Sequence, residues 1–326
     1  MRTFLSVGSI VLLQASALVG AGERFAPANP DLQPQARRVL EYIRSLEGKG
    51  ILTGQEETAN LNEHIEKVRG RTGRLPAIRG WDIRHNITDP IPEAIKAWTE
   101  QGQLITFGWH VGAPPFEDSY KNSKRRCDVR KCLTPGTGEH RSFVDKLDRM
   151  ADRLEVLRDR NVPVLWRPWH EMNGTWFWWS KDGPESFRDL WVFTFDYFTH
   201  KRKLDNLIWV WSASFEPLAD WYPGDRYVDV VGSDTYLSAR DHDRWAKIHE
   251  QLKAIAPDKP AAITENDQIP DPAVLQERGI DFVWFLTWHS EWLDENPEAH
   301  LRHVYNHPYA LTADELPDLR LSETAD

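Results

Sequence analysis

Two glutamates sit where side chains of the right type gather. Glu171 ends the run WRPWHE (Trp166–Glu171), and Glu265 lies in ITEN (Ile263–Asn266). Each follows a short apolar run rich in β-forming residues. A pair of carboxylates facing one another across a cleft is the equipment of glycoside hydrolysis. One must be protonated to help the leaving oxygen depart, and the other ionised to attack the anomeric carbon or activate water. A lone glutamate at a strand end is more often structural; two of them ringed by tryptophan reverse that reading. The chain holds sixteen tryptophans. An indole is a flat apolar surface with one donor, suited to the C–H face of a sugar, though roughly half are expected to fill core.

The elements that must position these residues are eight apolar runs. They are Gly50–Thr53, Leu75–Arg79, Leu104–Phe107, Val162–Trp166, Leu207–Trp211, Val228–Gly232, Ala261–Thr264 and Phe282–Thr287. Amphipathic segments alternate with them. In the clearest, residues 141–160, Phe143, Leu147, Met150, Leu154 and Leu157 recur at helical steps. Residues 35–46, 184–200 and 244–255 read similarly. Strands alternating with helices predict a parallel sheet, and eight of them predict a closed (β/α)8 TIM barrel in a single domain. The alternative, an open doubly wound sheet, calls for a glycine-rich phosphate loop after its first strand; Thr53-Gly54-Gln55-Glu56 is not one. In a barrel the C-terminal strand ends carry the chemistry. Here they hold Trp81 and Asp82, Trp109 and His110, Arg167 to Glu171, Ser212, Asp234 to Tyr236, Glu265, and Trp288 with His289. Glu171 follows strand four and Glu265 strand seven, on different sides of the mouth.

The formal charge of −10 over 326 residues argues against nucleic acid and anionic membrane surfaces. It favours a neutral polysaccharide, although a local basic cleft remains compatible. Arg2, the apolar stretch Phe4–Leu13 and the small residues up to Ala21 predict an export signal over residues 1–21, with a catalytic domain over 22–326 and a secreted or periplasmic product. Cys127 and Cys132, the only cysteines, are then expected to form a disulfide that closes a short loop. A metal site is not expected, because two cysteines are half a zinc site and the histidines are spread over separate strand ends. No cofactor is implied, and a monomer is expected.

The run WRPWHEMNGTWFWWS (Trp166–Ser180) resembles the signature of glycoside hydrolase family 26, best known for β-mannanases. GILTGQEE, LPAIRGWD, FGWH, VVGSDTY, ITEN, WFLTWH and HPYALTADELP are similar to the family's further motifs, in its order, over nearly the whole mature chain. The resemblance implies a retaining two-step mechanism with Glu171 as acid/base and Glu265 as nucleophile. It places Arg167 and Tyr236 beside the nucleophile, where a cation and a phenol donor favour its ionised form. It makes Trp176 and Trp288 sugar-stacking surfaces, and His110 and His170 substrate-binding groups. The sequence departs after Glu265, where Asn266-Asp267 replaces the Phe-Gly of many mannanases and Asp267 becomes a competing carboxylate. The loop from Gly112 to His140 has no clear counterpart.

Each residue also has a plainer reading. Arg167 would then be an ion-pair partner under the rim, His110 a satisfied core histidine, and Trp178 and Trp179 packing; Asp82 and Asp234 read as structural. The leading expectation is an endo-β-1,4-mannanase acting on mannan, glucomannan or galactomannan. The alternatives are mixed-linkage β-glucan or β-1,3-xylan as substrate, a non-catalytic carbohydrate-binding barrel, and a metal-dependent deacetylase.

Overall fold

The computed structural model describes residues 26–84 and 88–321; the expected export signal, residues 1–21, lies outside the described residues. All eight foreseen strands are present. They are β1 (Ile51–Leu52 and, past Thr53, Gly54–Glu57), β2 (Ile78–Asp82), β3 (Leu104–Gly108), β4 (Val164–Arg167), β5 (Leu207–Ser214), β6 (Val230–Asp234), β7 (Ala261–Asn266) and β8 (Phe282–Thr287). Each pairs in parallel with the next, and β8 closes the ring onto β1 through Leu52↔Trp284 and Gln55↔Thr287. The expected (β/α)8 barrel is therefore the fold. A short strand, β9 (Ala310–Leu311), adds to the lower half of β1.

Every residue of β1 to β8 is buried, as expected of parallel strands covered on both faces. That double burial is why the strands read as near-continuous apolar runs. The main helices are α1 (Pro34–Ser45), α2 (Glu63–Thr72), α3 (Ile91–Gln101), α4 (Gly138–Arg158), α5 (Gly183–Phe195), α6 (His242–Ile255), α7 (Pro272–Arg278) and α8 (Glu298–Tyr305). In α4 the predicted stripe is buried against the barrel, and Thr137 caps the helix by accepting from His140 N at 3.0 Å. Between α3 and β3 the chain turns at Gly102, with φ at 69°, a left-handed conformation costly for other residues.

Seven of the eight strands differ in their bounds from the reading of the sequence, by one to four residues. β2 begins at Ile78 rather than Leu75, because Pro76 has no N–H to give; the ladder starts with Ile78 N donating to Thr53 O at 2.9 Å. β1 runs on to Glu57, which puts the carboxyls of Glu56 and Glu57 inside the protein. The segment 184–200 is α-helical to Phe195 and then widens into a π-helical turn, Asp196–Lys201.

The expected Cys127–Cys132 disulfide is not formed. The two buried sulfurs are free thiols 3.3 Å apart, at hydrogen-bonding separation and well beyond the ~2.05 Å of a bond. The tryptophan expectation also needs correction. Thirteen of the sixteen are buried, because α/β packing on both faces of the barrel wall takes large apolar side chains. The other three, Trp176, Trp288 and Trp292, all line one cleft.

Candidate active site

That cleft, of about 700 Å³, opens at the C-terminal ends of the strands. Glu171 and Glu265 both border it, from the ends of β4 and β7. One carboxylate oxygen each of Glu171, Asp234 and Glu265 lies within 4.8 Å of the others. The two glutamates read as a pair from the sequence therefore meet.

The backbone after β4 is bent to bring this about. Trp169 and Glu171 both take left-handed conformations, at φ 54° and 55°, rare for side chains of that size. Hydrogen bonds hold the bend: Glu171 N donates to Ser212 O at 2.9 Å, and Gly174 N to Glu171 O at 2.9 Å. Asn173 ties the same turn to β5, accepting from Ser214 N at 2.7 Å and donating to Ser214 O at 2.9 Å. The Trp176 indole donates to Glu171 Oε2 at 2.9 Å and lies over Gly174, where an added Cβ would fall 2.2 Å from the ring.

The environments of the two glutamates differ. Glu265 accepts from two donors. Arg167 Nη2 bonds Oε1, and Tyr236 Oη donates to Oε2 at 2.8 Å. Arg167 is fully buried and also pairs with Asp234 at 3.0 Å. Burial works to lower its basicity, but Asp234, Glu265 and Glu56 hold the guanidinium firmly charged. Burial and then Asp234 push the Glu265 carboxyl up, while Arg167 and Tyr236 oppose them. Glu171 has one donor, Trp176. Burial and then the Asp234 charge push its carboxyl up to about 7. The three carboxylates also have the spacing of a cation site. The guanidinium bonded to two of them already supplies the positive charge there.

Asp82, His110 and His170 form a chain at the cleft's edge. His110 Nδ1 is 2.9 Å from Asp82 Oδ2, and His110 Nε2 is 3.1 Å from His170 Nε2. Burial, then the His110 and Arg167 charges, holds His170 well below the ordinary imidazole range, so it is neutral. Against burial, His110 and Arg84 hold the Asp82 carboxyl down. Asp82 is thus the acceptor that fixes the His110 ring.

The residues read from the sequence as catalytic or substrate-binding gather here. His110, His170, Glu171, Trp176, Tyr236, Glu265 and Trp288 border the cleft, and Arg167 lies beneath it. Trp178 and Trp179 are wholly buried packing. Asp267 accepts from Gln268 N at 2.6 Å and does not line the cleft, which leaves Glu265 as the carboxylate on the β7 side. Six groups went unforeseen: Arg84, Tyr120, Lys124, Phe215 and Trp292 in the lining, and Glu56 below it. Glu56 is fully buried, and neither carboxyl oxygen has a hydrogen-bond partner among the described residues. Burial first, then the charges of Asp82, Glu57 and Asp234, pushes it well up against the pull of Arg167. The aromatic density of residues 284–292 was the available signal for Trp292. For Glu56 there was none, since an acidic residue in a strand reads as exposed.

The chain matches the family model described as glycosyl hydrolase family 26 over residues 28–315. It is 31% identical to a mannan endo-1,4-β-mannosidase of Thermothelomyces thermophilus, over 88% of this chain and 62% of that protein. It is 30% identical to a mannan endo-1,4-β-mannosidase of Bacillus subtilis, over 87% and 88% of the two chains. The chain spans about half to three-fifths of the length of several of its curated relatives, the Thermothelomyces protein among them. Among solved structures it is similar to a GH26-CBM35 β-(1,4)-mannanase of Podospora anserina, with TM-score 0.82 and 30% identity over 90% of this chain and 69% of that one. It is similar also to a β-mannanase from a symbiotic protist of the termite Reticulitermes speratus, with TM-score 0.82 and 27% identity over 90% and 97%.

Proposed function

The chain belongs to glycosyl hydrolase family 26, and from that premise we propose that it hydrolyses β-1,4-mannosidic linkages in mannan, glucomannan or galactomannan by a retaining double displacement. The observation that carries this reading is the meeting of Glu171 and Glu265 within 4.8 Å. Carboxyls about 5–5.5 Å apart suit direct attack on the sugar, whereas about 6.5–9.5 Å leaves room for an inverting water. Glu265 is the nucleophile: Arg167 and Tyr236 stabilise the negative charge it needs, against the cost of burial. Glu171 is the acid/base: a carboxyl pushed up to about 7 keeps its proton near neutral pH and regains it after donation. Trp176 and Trp288 line the cleft as stacking surfaces for the sugars, and His110 borders it as a binding group. His170, almost wholly buried, offers a sugar little surface and acts by holding His110. The export expected from residues 1–21 suits a polymeric substrate outside the cell, and an N-terminus beginning near residue 22 in the secreted product would test it.

Glu265→Ala is expected to lower turnover by about 10⁴-fold or more. Glu171→Ala should lose polymer hydrolysis by about 10²–10⁴-fold, yet spare aryl glycosides whose leaving group needs little protonation. Equal loss by both variants on both substrates overturns the assignment of roles. Reducing-end release from β-glucan or β-1,3-xylan, with none from mannan, overturns the substrate.

A further inference from the structure

In a chain of net charge −10, the segment Lys121–Lys131 holds Lys121, Lys124, Arg125, Arg126, Arg130 and Lys131 against the single acid Asp128. It belongs to the loop after β3, and all six cations are exposed. Arg126 pairs with Asp182 at 3.1 Å, and Arg130 and Lys131 have only distant partners, at 3.9 and 3.8 Å. Among the described residues Lys121, Lys124 and Arg125 make no ion pair. Two of these cations lie on exposed aromatic rings. Lys124 Nζ is 3.9 Å from the centre of Tyr120, and Arg125 is 4.2 Å from that of Phe116. Tyr120 is 50% and Phe116 37% exposed, so both rings are open to a ligand.

The patch is continuous with the cleft. Tyr120 and Lys124 line it, and the Lys124 charge reaches Glu171. Lys181 donates to Lys124 O and opens on a hollow of about 500 Å³ shared with Arg126 and Arg130 and with the carboxylates of Asp128 and Asp182. Burial, then the Arg126 and Lys124 charges, holds the Lys181 ammonium down, as expected where positive groups crowd. Exposed rings carrying unpaired cations recognise a sugar with a negative charge on it. The ring stacks on the C–H face, and the cation meets the carboxylate.

We propose that the loop Lys121–Lys131 is a subsite for carboxylate-bearing sugar residues of a β-linked polysaccharide lying in the cleft. The proposal rests on the polysaccharide reading above. A membrane surface is the less favoured partner, because the patch leads into the cleft that holds Glu171 and Glu265.

Its test is binding by the Glu265→Gln protein, which does not depend on turnover. The probes are a neutral glucomannan and the same polymer sparsely oxidised at C6 to the uronate. At low ionic strength the oxidised polymer is expected to bind about fivefold more tightly, from a few exposed charge pairs. At about 1 M salt, where screening acts within about 3 Å, the preference should vanish. Adding Lys121→Gln, Arg125→Gln and Arg126→Gln should remove the preference and leave affinity for the neutral polymer unchanged. Equal affinity for both polymers overturns the proposal, as does a preference that survives either the salt or the three substitutions. Vesicles containing phosphatidylglycerol bound more tightly than the oxidised polymer also overturn it. If the triple variant fails to fold, the salt dependence of its parent decides. Absence of turnover on every neutral mannan by the unsubstituted protein would defeat the proposed activity and leave this binding result standing.

Discussion

At the scale of single residues, the proposed chemistry depends on how little surrounds Glu171. Its one partner, the Trp176 indole, lies over Gly174 so closely that no Cβ fits between them. Gly174→Ala is expected to move the indole off the carboxylate and lower kcat/KM on polymer by about tenfold, the worth of one hydrogen bond to a charged group. The melting temperature should change little, because Trp176 is at the surface. An unchanged kcat/KM would show that the indole is a bystander. The pH profile follows from the two environments. As the proposed acid/base, Glu171 would act in its protonated form, so activity should fall as pH rises through about 7. As the proposed nucleophile, Glu265 would act ionised, so the acid limb is assigned to it. Tyr236→Phe removes a donor to its charged form and should move that limb upward by about one pH unit, leaving the alkaline limb in place. Movement of the alkaline limb instead would exchange the two roles.

At the scale of elements, the loop after β3 is held by one buried carboxylate. Asp118 accepts from Gly112 N at 3.0 Å, from the Trp109 indole at 3.2 Å and from Lys146 of α4 at 2.5 Å. Asp118→Ala would leave the Lys146 ammonium buried and unpaired, a loss of about 3–5 kcal/mol in a denaturant titration. Adding Lys146→Met should recover much of it; no recovery would mean that the backbone bond to Gly112 matters more. This latch was not legible in the sequence, because its partners lie in separate elements and buried charges are the exception. The strands were legible for the opposite reason. Burial on both faces leaves continuous apolar runs, so β8 was read to its ends and the others shifted by a few residues. Where a local feature governs a boundary, such as Pro76 before β2, the apolar run alone misplaced it. The pair Glu171 and Glu265 was readable because parallel strands put every C-terminal end at the same rim. The Asp82–His110–His170 chain joins three strand ends, and spacing along one chain carries no sign of it.

At the scale of the whole molecule, the ring closes in two places. β8 meets β1, and below them β9 seals the lower half of β1. Ile51 N donates to Tyr309 O at 2.8 Å, Thr53 N to Leu311 O at 3.0 Å, and Ala313 N to Leu75 O at 2.9 Å. Deleting residues 307–326 would remove these bonds and the burial of Tyr309 and Ala310. The melting temperature is expected to fall by about 10 °C or more, from roughly 4–6 kcal/mol of lost contacts. A fall of a degree or two would mean that β1 needs no such support.

The seam also fixes where the two ends of the described chain emerge. Ala28 N is bonded to Asp229 just before β6, and the C-terminal stretch bridges Thr312 to Pro76 just before β2. Both points are at the foot of the barrel, and the cleft is at its mouth. A solid support, a fluorescent carrier or a second module joined at either end would leave the binding face pointing outward. Immobilised protein should therefore keep its access to long insoluble fibres.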